Sequence, residues 1–230
     1  MRKTVQLSMI AMFAALHAVL YLLPFGLWRN LAIYIAPIEG MLLGPQVGFS
    51  AALLGSSVAR MLKPDDLWMF GLIAEPVSVL MAGFLARASW KPVFATYSVM
   101  LLAYFVHPFG RALPIWTVFD ILIGLFLIYP AAKFSRGFPA KGFKRLSASL
   151  VLVSFVCVAT DSLVRVFLLV PCGLYGLFFT SFEALQVAFI LGAASSYIED
   201  LLVVAISFLV GVPLVVTAFS MGILRRNERK

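Results

Sequence analysis

Asp161 and Arg165 stand four residues apart in the otherwise apolar run "FVCVATDSLVRVFLLV". On a helix that spacing puts both heads on one face, where they can pair. A charge in hydrocarbon costs at least about 2.5–3.5 kcal/mol near its centre, so such residues mark either a structural ion pair or a polar pocket. Both readings stay open from these two residues alone. Other ionisable groups converge on the same level: Glu75 one to two turns into the apolar segment 69–86, and His107, Arg111 and Asp120 at the ends of the hairpin 93–132. Arg60 falls near the outer end of 46–62, whereas Glu39 lies nearer the middle of 31–43. Trp28, Trp68, Trp116 and Tyr175 belong to that level too. They read as an interfacial aromatic belt or as stacking surfaces for a heterocyclic ligand. Lys63, Asp65, Asp66, Glu199 and Asp200 read as helix-end charges wetting an interface.

The elements that would position these groups are membrane helices. The chain of 230 residues is 63% hydrophobic and 12% charged, against about 45–50% and about 25% for a soluble domain. That composition predicts an all-α integral membrane protein in the cell membrane, a single polytopic bundle of six to eight transmembrane helices. Apolar segments fall at about 5–23, 31–43, 46–62, 69–86, 93–110, 113–132, 147–170 and 199–224. Residues 31–62 are too long for one pass, and Pro45, flanked by Gly44 and Gly48, predicts a broken helix pair there. Segment 175–197 is read as an amphipathic or re-entrant element at the outer face, because a further crossing would put the basic tail outside.

Charge placement sets the orientation. With the N-terminus inside and eight crossings, the cytoplasmic side receives Arg2, Lys3, Arg87, Lys91, Lys133, Arg136, Lys141, Lys144, Arg145 and the tail "RRNERK". Arg29, Arg60, Lys63, Arg111 and Arg165 remain outside, so both termini are expected in the cytoplasm. The net charge of +8 is therefore a topology signal and not a nucleic-acid footprint. "ALHA" after Arg2-Lys3 imitates a signal cleavage site, but the apolar run continues through Leu23, so the first helix is expected to stay.

No HExxH, CxxC, GxSxG or dinucleotide fingerprint occurs. "GFPAKGFK" misplaces the lysine of a phosphate loop and suits a basic cytoplasmic loop better. No cofactor or metal is expected, and uphill transport would need a partner or an ion gradient. Cys157 and Cys172 have neither metal spacing nor a disulfide framework and read as packing residues.

The basic start, the spaced alanines of "IAMFAALHAVL" and the broken pair around "GMLLGPQVGFSAALLG" resemble S components of energy-coupling factor (ECF) transporters. "VATDSLVRVFL" and "YIEDLLVVAISFLVGVPLV" look like late helices of archaeal-type members. The resemblance implies capture of a vitamin-like small molecule outside and docking on a transmembrane scaffold driven by two ATPase subunits. It further implies that Ala11 and Ala15, with the offset pair Ala14 and Ala18, line the docking helix; small residues let helix backbones approach closely in lipid. Met1-Arg2-Lys3-Thr4 lacks the early histidine of the nickel and cobalt members. The rival classes are a self-sufficient secondary transporter and an intramembrane lipid-modifying enzyme using Asp161, Asp120 or His107.

Overall fold

The computed structural model describes residues 3–23, 30–64, 68–138 and 142–221. These residues form helices, with no strand among them. In chain order they are α1 (Lys3–Leu22), α2 (Ala32–Leu43), α3 (Pro45–Leu62), α4 (Trp68–Ala86), α5 (Trp90–Val106) and the short α6 (Pro108–Ala112). A 3-10 turn (Ile115–Val118) leads into α7 (Phe119–Ser135), followed by α8 (Phe143–Leu169), the short α9 (Tyr175–Phe178) and α10 (Phe182–Ser220). Five stretches are long and apolar enough to cross a membrane: Lys3–Leu22, Trp68–Ala86, Ile115–Ser135, Phe143–Leu169 and Phe182–Ser220. They are compatible with a multi-pass membrane protein.

α8 is the axis of the bundle. It packs against α4, α7, α10, α5 and α2, and every residue from Val156 to Val164 is buried. A helix apolar all round belongs in such a position, and Asp161 lies inside this buried run. α1 is peripheral by contrast: it packs on α3 and α2, and buries only His17, Ala18 and Tyr21.

The break between α2 and α3 follows from local chemistry. Gly44 adopts φ +79°, a left-handed conformation that favours glycine, and Pro45 then occupies the first turn of α3, where its missing N–H costs nothing. Gly40 and Gly83 bring the pair against α4. A Cβ on Gly40 would stand 2.8 Å from the Cβ of Ala82, and one on Gly83 would stand 2.6 Å from the Cα of Pro45. A second close approach seats α1, where a Cβ on Gly55 would fall 2.7 Å from both the Ala14 carbonyl oxygen and the Cβ of His17.

One expected boundary is corrected. Segments 175–197 and 199–224 are not an outer element followed by a separate helix; residues 182–220 form one helix of 39 residues. At about 1.5 Å per residue it runs roughly 58 Å, near twice a bilayer core. The polar run at 195–200 does not stop it. Ser195 bonds back to the Leu191 carbonyl (3.3 Å), and Ser196 donates to Asp120 (3.3 Å). The true start is at Ser181, whose hydroxyl accepts the Ala184 N–H at 3.2 Å, an N-cap. Glu199 and Asp200 are therefore buried mid-helix residues and not interfacial openers.

Gly192 in α10 has open space where a Cβ would stand. Gly192→Ala is expected to stabilise the protein by about 0.5–1 kcal/mol, because the helix backbone loses less freedom on folding. A raised thermal unfolding midpoint in detergent checks this.

Candidate functional site

Glu75 is the hub of a buried polar cluster drawn from five helices. It sits midway along α4, fully shielded, and both carboxylate oxygens are surrounded by donors. Arg60 of α3 approaches in a fork, with Nη2 2.6 Å from Oε1 and Nη1 3.1 Å from Oε2. Bidentate geometry of this kind is the strong form of an ion pair. Asn30 donates its Nδ2 hydrogen to Oε1 (2.8 Å) and accepts the Ala32 N–H at the start of α2 (3.0 Å). Ser56 donates to Oε2 at 2.5 Å, and Nε2 of His17 lies 3.2 Å from the same oxygen.

The cluster continues to either side. Nδ1 of His17 is 3.3 Å from Oε2 of Glu39 on α2. On α8, Arg165 holds Asp161 through Nε (2.7 Å) and Nη2 (3.3 Å), and the same Nη2 comes within 3.8 Å of Glu75. Arg60 also lies over the ring of Tyr21, 4.8 Å from its centroid, which ties the guanidinium to α1. Room for it exists because position 71 is glycine: a Cβ there would collide with the guanidinium, 2.8 Å from Cζ. The Arg165 side chain keeps 30% exposure while Asp161 and Glu75 have none. Arg165 is thus the most exposed charge of this cluster.

The residues expected from sequence divide into separate groups. Glu75, Asp161 and Arg165 come together. Asp120 is buried at the start of α7 and accepts from Ser196 of α10, which in turn lies 3.3 Å from Ser162. His107 and Tyr175 form an aromatic group with Phe109, with centroids 6.1 Å apart for His107–Tyr175 and 4.9 Å for Phe109–Tyr175. His107 also caps α6 by accepting the Phe109 N–H (3.2 Å). Arg111, Trp68 and Trp116 are exposed; the Trp116 carbonyl accepts from the Tyr197 hydroxyl. Trp28, Asp65 and Asp66 lie outside the described residues.

His17, Ser56 and Asn30 were not expected from the sequence, and Arg60, expected only near the outer end of its helix, is buried in the cluster. The available signal was Glu39. An acid near the middle of an apolar bundle needs a partner, and the chain has two histidines. Of these, His17 shares a face with Ala14, Ala18 and Tyr21 by helical spacing. The cysteines are both unpaired. Cys157 is buried and donates to the Ser78 carbonyl (3.4 Å), but Cys172 is exposed and is no packing residue.

The docking alanines also divide. Ala14 and Ala18 turn toward α3, Ala18 buried and Ala14 half-buried, while Ala11 and Ala15 are exposed. Leu7, Met12, Leu16 and Val19 leave the rest of that face open and apolar.

Among the described residues, no group of three or more His, Cys, Asp or Glu is arranged to hold a metal ion. No family model matches the chain, and no solved structure matches it. The chain is 28% identical over 131 residues to the uncharacterized protein MJ0923 of Methanocaldococcus jannaschii. That alignment covers 56% of this chain and 44% of the relative, so the chain spans less than half the length of the protein it matches.

Proposed function

We propose that this chain is the substrate-capture (S) component of an ECF-type importer, a multi-pass protein of the cell membrane with both termini cytoplasmic. It takes up a small polar ring compound from outside and docks on a transmembrane scaffold driven by two ATPase subunits. The observation that carries this reading is the division of α1 into two faces. One face is committed to the bundle through Ala14, His17, Ala18 and Tyr21; the other presents Ala11 and Ala15 among exposed apolar side chains. A small-residue strip facing outward on a peripheral helix suits close approach by a second membrane protein. Arg165, partly exposed beside Asp161 and Glu75, supplies a reachable charge for a polar ligand, and the His107–Tyr175 group supplies ring faces. Mass spectrometry of small molecules retained through purification identifies the compound.

Replacing Ala11 and Ala15 together by Trp is expected to abolish assembly while leaving the unfolding midpoint and ligand retention unchanged. The readout is the amount of ATPase subunit that co-elutes. Normal assembly by a well-folded double variant would assign this face to lipid and remove the main support for the reading. A second reading, a self-sufficient secondary transporter, is favoured by the buried charge cluster, since ionisable groups inside membrane bundles mark ion and proton paths.

A further inference from the structure

His17 is fully buried, and each of its ring nitrogens meets a carboxylate: Nδ1 is 3.3 Å from Glu39 Oε2, and Nε2 is 3.2 Å from Glu75 Oε2. The hydrogens on this triad follow from donor and acceptor inventory. Glu75 accepts from Arg60, Asn30 and Ser56, so it is an ionised, acceptor-only group. The hydroxyl hydrogen of Ser56 lies in its 2.5 Å bond to Glu75, so Ser56 Oγ, 3.1 Å from His17 Nε2, can only accept there. Nε2 therefore carries a hydrogen. Nδ1 and Glu39 Oε2 remain. With neutral imidazole and ionised Glu39, two lone pairs would face each other in a solvent-shielded site. One further proton resolves the contact, as imidazolium N–H or as carboxylic O–H.

Glu39 is also unlike Glu75 in its surroundings. Its Oε1 is buried and has no hydrogen-bond partner among the described residues. A buried carboxylate with no donor beyond one histidine is costly as an ion. We propose that the His17–Glu39 pair is a buried binding site for a single proton, and that this proton latches α1 to α2. The elements packed around the pair carry further titratable groups. Arg60 comes from α3 and Glu75 from α4; Asp161, Arg165 and the Cys157 thiol come from α8, and Glu199 and Asp200 from α10. None of them hydrogen-bonds Glu39; its bond is to His17. The site is independent of the docking proposed for the opposite face of α1.

The linkage has a definite sign. Above about pH 7 an unfolded histidine and glutamate bind no proton between them, whereas the folded pair holds one. The pair's contribution is then fully present below about pH 6.5 and falls as pH rises, by up to tenfold in the folding equilibrium per pH unit, until the folded pair releases its proton. Glu39→Gln puts an amide hydrogen where the proton sits and keeps the contact with Nδ1 at any pH. In nanodiscs, the unfolding midpoint of the unmodified full chain is expected to drop between about pH 7 and about pH 9, with a much flatter profile for Glu39→Gln. Parallel profiles for the two proteins would overturn the proposal. If Glu39→Gln does not fold, infrared difference spectra of the unmodified folded protein decide. Loss of one carboxylic or imidazolium band on raising the pH supports the site, and the absence of both bands at neutral pH overturns it.

Discussion

Glu75→Ala is expected to destabilise the protein by about 3–5 kcal/mol, the cost of removing one partner from a buried ion pair. The loss is not that of a single contact. Arg60 is nearly shielded from solvent and directs both terminal nitrogens at this carboxylate, so its charge would be stranded in the bundle. Asn30, Ser56 and His17 would lose an acceptor in the same step. Because these partners belong to α1, α3 and the entry to α2, the damage should be cooperative and extend beyond α4. Glu75→Gln should be milder, since the amide oxygen still accepts while its NH2 opposes the donors on one side. Unfolding midpoints of the purified variants check the order: unmodified, then Gln, then Ala. An alanine variant as stable as the unmodified protein would mean that the cluster does not hold these helices together.

Gly83→Ala is expected to cost about 1–3 kcal/mol, the usual range for forcing extra volume into a packed interior. The added methyl would meet backbone, at 2.6 Å from the Cα of Pro45 and 2.7 Å from the carbonyl carbon of Gly44. Backbone cannot swing aside as a side-chain tip can, so α4 must move away from the α2–α3 break. That shift would also displace Glu75 two turns along the same helix. Gly176→Ala is the control, since a Cβ there has open space; its effect should stay within about 0.5 kcal/mol. Thermal unfolding of the two variants side by side gives the comparison.

Much of the helical layout is legible in hydropathy alone, because each apolar segment is long and most boundaries carry Gly, Pro or basic residues. The continuous α10 was not legible. "AASSYIED" resembles a loop, yet it stays helical with Ser196 bonded to Asp120, a partner from another helix. The cluster was half legible. Asp161 and Arg165 announce each other at helical spacing, and Glu75 stands out as an acid in an apolar run. His17 meets residues 39, 56 and 75, and nothing local marks those distant partners. For Arg60 the sequence shows only a charge near a helix end; its burial depends on Gly71, which opens a slot for the guanidinium against α4. The four alanines of α1 look equivalent as sequence pairs. Only the packing of α1 on α3 separates Ala14 and Ala18, which face inward, from Ala11 and Ala15, which do not.

In the proposed function this chain captures a substrate but relies on a separate motor. The most direct test is purification of the tagged protein from the membranes of its own cells, with the co-purifying proteins identified by mass spectrometry. A transmembrane scaffold and two ATPase subunits are expected in stable association, with no ATP hydrolysis by this chain once they are removed. A protein that purifies alone and accumulates substrate in vesicles under an imposed ion gradient would contradict the proposed function.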